Sequence, residues 1–183
     1  LLYEVALKAK EDGYKILFSG EGADEFFGGY DKIFRWANSS KFDLDEFLNL
    51  YSYTKIEKNT SLYNKFKKLF DDKNDLSCFE LVQWYFVRYH MPVLFRRLDF
   101  ALMAAGVEGR EPLANIHTFI ASLSFNSNEL INEKLGKLPL RKLLSDFMSK
   151  DFCYSKKVGF PVNLQLIYNE FNKTNYKRKL LHG

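Results

Sequence analysis

The apolar positions Leu1, Leu2, Val5, Ala6 and Ala9 recur at helical spacing and stop at Asp12-Gly13, whose turn chemistry closes a first helix over Leu1 to Lys10. Lys15 to Phe18 follows as a short run, apolar on successive residues and ended by Ser19-Gly20. That is the pattern of a strand buried on both faces, as in a parallel sheet under helices. Helix, turn and strand together make part of an α/β unit. Beyond Tyr30 the pattern is almost wholly helical: Leu44, Phe47, Leu48 and Tyr51, then Leu62, Phe66 and Leu69, lie on 3.6-residue stripes with solvated Lys and Asp between them. The apolar segment Cys78 to Leu94 predicts a central helix, kinked or bounded by Pro92. Further helices are predicted over Asp99 to Ala105, His117 to Leu123 and Leu138 to Met148. A single recognisable strand cannot make a sheet, so its neighbours are expected from sequence outside these residues.

Composition narrows the partners. The 183 residues are 46% hydrophobic and 17% aromatic, enough apolar surface for one compact body. The net charge of +4 is dispersed among acids rather than gathered into a basic stripe, which argues against nucleic acid. No apolar run approaches the roughly 20 residues that span a bilayer, so no membrane partner is expected. Cys78 and Cys153 suit neither a disulfide framework nor a zinc site and fit a reducing cytoplasm. The chain opens at Leu1, already inside a helix and without an initiator methionine, which points to a piece of a longer product.

Candidate chemistry concentrates in Ser19-Gly20-Glu21-Gly22-Ala23-Asp24-Glu25-Phe26-Phe27-Gly28-Gly29-Tyr30, between the strand's end and the next helix. Open α/β sheets bind ligands there. Gly20 and Gly22 permit a sharp turn and close backbone approach, and free amides at a helix start favour negative charge. The dinucleotide fingerprint would need glycine where Glu25 stands, and the Walker Gly-Lys-Ser/Thr is absent. Carboxylates at Glu21, Asp24 and Glu25 would repel a bare phosphate, so a cation must intervene. Either magnesium bridges a carboxylate to pyrophosphate oxygens, or an amine substrate is oriented and deprotonated. Spacing alone favours a plainer reading, in which Asp24 and Glu25 complement a helix dipole and Glu21 is a solvated loop acid, since such acids are common at helix starts.

Ser19 to Tyr30 resembles the signature of the asparagine synthase family, Ser-Gly-Glu-Gly-(Ala/Ser)-Asp-Glu-x-Phe-Gly-Gly-Tyr. Three later blocks agree in order: Arg97-Leu98-Asp99 with Met103 and Gly106-Val107-Glu108-Gly109-Arg110-Glu111-Pro112, then Gly136-Lys137-Leu138-Pro139-Leu140-Arg141, then Lys157-Val158-Gly159-Phe160. The resemblance implies the C-terminal portion, residues 1–183, of a synthetase domain. Its fold would be α/β of the adenine nucleotide alpha hydrolase type with a parallel sheet, this part being mostly helical with one or two strands. It implies a ligase that uses ATP and Mg2+ to join a carboxylate, most simply an aspartate-like one, to AMP, after which glutamine-derived ammonia displaces AMP to form an amide.

Carried over residue by residue, Glu21 faces the acyl-adenylate and handles the nitrogen nucleophile, and Asp24 holds magnesium against pyrophosphate. Ser19, Gly20 and Gly22 line the nucleotide, and Lys157 stabilises charge as the adenylate forms and breaks down. Glu25, Arg97, Asp99, Glu108, Arg110 and Lys137 are expected behind the site, with Arg97, Asp99, Glu108 and Arg110 in buried ion pairs. His90 and His117 lack ligand spacing and read as packing or surface residues. The family's Ser-Gly-Gly-x-Asp-Ser ATP loop and its glutaminase domain are absent from these residues and are expected as upstream partners; a homodimer is also admitted. Pro-Phe-Leu-Asp reads Pro112-Leu113-Ala114-Asn115 here, which calls local packing and a helix cap into question. Two alternatives stand beside this reading: an amidotransferase or lactam-forming relative acting on another carboxylate, and a degenerate, non-catalytic interaction module.

Overall fold

A computed structural model describes residues 1–73 and 75–155. The chain is mostly helical around one two-stranded parallel sheet, which bears out the α/β expectation. Helix α1 (Leu2–Glu11) leads through Gly13 into β1 (Ile16–Phe18), whose partner is β2 (Glu108–Arg110), with Ile16 opposite Glu108 and Phe18 opposite Arg110. That partner lies within this chain, in a segment with no apolar run to betray it. β2 is charged at both ends because its side chains alternate, leaving Glu108 and Arg110 on the open face and Gly109 against Leu98 and Leu102.

The expected burial of β1 on both faces is corrected. Leu17 packs with Ala6, Leu98, Leu102, Ala105 and Val107 in a small core against α1 and α7 (Met91–Met103). Ile16 and Phe18 point the other way and are 46% and 76% exposed. None of the described residues covers that face.

Between the strands run α2 (Ala23–Phe26), α3 (Asp31–Ser39), α4 (Leu44–Tyr51), α5 (Ser61–Phe70) and α6 (Cys78–Tyr85). Asp43, Thr60 and Ser77 cap α4, α5 and α6 with side-chain oxygens, each satisfying an orphan amide of the first turn. Their apolar faces meet in a core dominated by aromatic rings, including Phe34, Phe47, Phe70, Phe79, Tyr85 and Phe86, most in tilted or edge-to-face contact.

Pro92 lies at a helix boundary, one of the two outcomes expected of it. The chain widens into a π-helical turn over Phe86–His90, and Pro92 then occupies the first turn of α7, where no amide is required. The helix expected over Asp99 to Ala105 is therefore the end of this one long helix. After β2 come α8 (Ile116–Leu123), α9 (Ser127–Leu130), α10 (Leu138–Leu144) and α11 (Lys150–Cys153). Among the described residues, no helix is long and apolar enough to cross a membrane.

Candidate active site

The signature turn leaves the C-terminal end of β1. Ser19 extends the ladder by donating its amide to Arg110 O at 2.9 Å, and its hydroxyl accepts the Glu21 amide at 3.2 Å. The chain then reverses through Gly22 at φ 96°, where a Cβ would lie 2.9 Å from Ala114 Cα. Both the backbone angle and the space demand glycine there. This contact seats the turn on the segment that follows β2.

Each of the three acids has its own partner, and the partners differ in kind. Glu25 is fully buried. Its carboxylate accepts the Gly22 amide at 2.8 Å and the Tyr30 hydroxyl at 2.5 Å, bracing the turn from behind. Burial, and then the Glu25 charge, push the Tyr30 hydroxyl far up, so it stays a donor. Glu25 therefore braces the turn rather than facing solvent.

Glu21 faces outward, with a side chain 20% exposed, and Arg97 Nη2 of α7 lies 3.1 Å from Oε1. Burial raises the Glu21 carboxyl above the usual glutamate range. Arg97 opposes that rise, while the neighbouring Glu25 and Asp24 add to it. Asp24 meets a different cation, Lys137 Nζ, at 2.8 Å, with both side chains 22% exposed. Lys137 begins α10 in the left-handed region, and its amide is bound to Phe27 O at 3.0 Å.

Arg97 and Lys137 each pair directly with an acid of the turn, and Arg97, with a side chain 57% exposed, is not in the buried ion pair expected of it. Asp99, Glu108 and Arg110 are not in buried ion pairs. Glu108 and Arg110 do pair, at 2.7 Å along β2, but both side chains are more than half exposed, and Asp99 is exposed at the opposite end of the strands from the turn. Exposed charges on a two-residue spacing can meet in water at no desolvation cost, and helix α7 turns Asp99 away from the face that carries Arg97.

Sequence reasoning read His90 as a packing or surface residue and linked it to no part of the signature turn. The π-helical turn sets it edge-on to Tyr30, at 5.5 Å between ring centres, and 3.1 Å from the Tyr51 hydroxyl through Nδ1. Burial lowers its pKa, the Glu25 charge works against that, and Arg97 reinforces it. It is a packing residue, as expected, but one wired to the signature turn through Tyr30. The only signal was Pro92 shortly after a run of aromatics. His117 is exposed. Lys157 lies outside the described residues.

The Ala114-Asn115 departure leaves the local structure whole. Asn115 caps α8 by accepting the Thr118 amide at 3.0 Å and anchors the preceding turn by donating to Pro112 O at 2.7 Å. Ala114 supplies the surface against which Gly22 fits.

Magnesium fits this donor set in one way. Among the described residues, no group of three or more His, Cys, Asp or Glu could hold a metal unaided. Magnesium, however, commonly takes one or two protein carboxylates and completes its shell with water and phosphate oxygens. Asp24, already holding a cation on a partly exposed carboxylate, meets that requirement.

The turn lies at the C-terminal end of a parallel strand, where open α/β sheets bind ligands, and it sets Glu21 against Arg97 and Asp24 against Lys137. The family model described as "Asparagine synthase" matches residues 1–180, and the chain belongs to the asparagine synthase family. It is also similar to a protein of Methanocaldococcus jannaschii named as a candidate glutamine-hydrolysing asparagine synthetase. The two are 34% identical over 58 residues, which is 30% of this chain and 11% of that relative. No solved structure matches.

Proposed function

We propose that residues 1–183 are the C-terminal portion of a synthetase domain that forms amides at the expense of ATP, with aspartate-like carboxylate as acceptor and glutamine-derived ammonia as nitrogen donor. The observation that carries this reading is the Glu21 carboxylate: raised by burial, held by Arg97 and placed at the end of a parallel strand. A carboxylate of raised pKa is a better proton acceptor, and a fixed arginine keeps it ionised and oriented.

In the reaction, a carboxylate oxygen of the acceptor attacks the α-phosphorus of ATP, and pyrophosphate leaves with the bond electrons. The nitrogen nucleophile then attacks the activated carbonyl carbon, AMP leaves, and Glu21 takes the proton the nitrogen sheds. Asp24 would hold magnesium, which supplies charge neutralisation to pyrophosphate when bound. Ser19, Gly20 and Gly22 would present backbone to the nucleotide, and Lys157 would stabilise the charge that develops on the adenylate. The Ser-Gly-Gly-x-Asp-Ser loop and the glutaminase would come from other sequence.

The test uses the complete enzyme. Asp24→Asn should abolish magnesium-dependent pyrophosphate release, whereas Glu21→Gln should leave ATP–pyrophosphate exchange in place and slow amide formation by about a hundredfold or more, as loss of a general base does. Parental rates in both variants would refute the assignment.

A further inference from the structure

Lys137 combines three features that general helix chemistry does not require together. It is one of two non-glycine residues with positive φ among those described, at φ 59° and ψ 37°. A lysine adopts that conformation at a cost and keeps it only where its surroundings over-determine it. Here they do: its amide is bound to Phe27 O, Gly136 before it is pressed onto Gly28 O, and Pro139 follows within the first turn of α10. The fixed backbone delivers Nζ to 2.8 Å from Asp24 Oδ1. Gly29 packs so closely on the other side that a Cβ there would collide with the same oxygen, so the carboxylate is wedged between backbone and ammonium.

This carboxylate is the one the proposed function gives to magnesium. A divalent ion and an ammonium cannot both sit at contact distance on one carboxylate without strong mutual repulsion. We infer that Lys137 is a placeholder cation: it holds the Asp24 carboxylate in position until the divalent ion arrives, and the two cations exchange on Asp24. The inference rests on the assignment of metal to Asp24. Its consequence is that metal alone binds weakly, because it must displace a charge already in place, and that occupation of the site sets the Lys137 amine loose.

Amine acetylation of the full chain, read residue by residue by mass spectrometry, tests the exchange without any assay of activity. Lys8 and Lys55, with side chains 69% and 75% exposed, serve as internal references. In the parent, Lys137 should label several-fold more slowly than either, and saturating Mg2+ should raise its rate alone. In Asp24→Asn, Lys137 should label fast with or without Mg2+. Lys137→Gly keeps the left-handed backbone at no strain, so it should fold as the parent does. It should bind Mn2+ about tenfold more tightly by isothermal titration, a difference of about 1.4 kcal/mol.

Slow labelling of Lys137 that Mg2+ does not change, or Mn2+ affinity no tighter in Lys137→Gly, would overturn the exchange even where Asp24→Asn abolishes Mn2+ binding and so upholds the metal site. Mn2+ binding unaffected by Asp24→Asn would instead bring down the metal assignment itself, and the inference with it.

Discussion

Arg97 and Glu21 stand 76 residues apart in the chain and 3.1 Å apart in space, the guanidinium of α7 set against an acid of the signature turn whose pKa burial raises. Two opposing influences thus meet on one carboxyl. Desolvation favours the neutral acid, and the arginine favours the carboxylate that can accept a proton. Removing the arginine leaves desolvation unopposed, so Arg97→Gln should move the acidic limb of the kcat/KM profile of the complete enzyme to higher pH, and Arg97→Lys should move it less. An unshifted limb with a uniformly lower rate would mean that Arg97 only packs.

Gly136, which joins the start of α10 to the signature turn, should be far less tolerant than Gly20, which opens that turn. A Cβ on Gly136 would lie 2.2 Å from Gly28 O, a backbone atom that cannot turn aside, whereas a Cβ on Gly20 would meet nothing within 4 Å. Gly136→Ala should therefore destabilise the fold by about 1–3 kcal/mol, the usual range for overpacking. Gly20→Ala should leave the melting temperature close to the parent's. Chemical denaturation of the two variants side by side decides it, and equal stability would show that the two segments are not in the close contact described.

Stability should also carry the signature of a half-buried imidazole whose pKa is lowered. Burial depresses the folded pKa of His90 below its ordinary 6.5, so the unfolded chain takes up the proton first as pH falls. The contribution is present above that ordinary value and is lost on acidification through the folded pKa. The parent should lose melting temperature between about pH 7 and pH 5. His90→Phe, which keeps the ring contacts with Tyr30 and Phe86, should lose less of it. Identical slopes in scanning calorimetry would exclude His90 as the source.

Much of the frame could be read along the chain, because local patterns write it there. Helical stripes located α1, α4, α5 and α8 to within a residue or two, and the run ending at Phe18 marked a strand. The second strand was invisible because Glu108-Gly109-Arg110 owes its extended form to pairing with β1, not to any apolar alternation of its own. Pro92 marked the start of α7, but the π-helical turn before it, where Phe86 stacks on Tyr30 and meets Tyr51 edge-on, had no signal of its own.

The candidate site divides in the same way. Residue types and spacing alone determined that acids gather where a strand meets a helix, because a turn of that kind is a local object whose glycines and carboxylates are contiguous. Which cation meets which acid was decided only by the tertiary structure. Coulomb's law acts through space, and Arg97 with Glu21, or Lys137 with Asp24, become neighbours only when the parallel pairing of β1 with β2 and the docking of Gly136 on Gly28 close loops many tens of residues long.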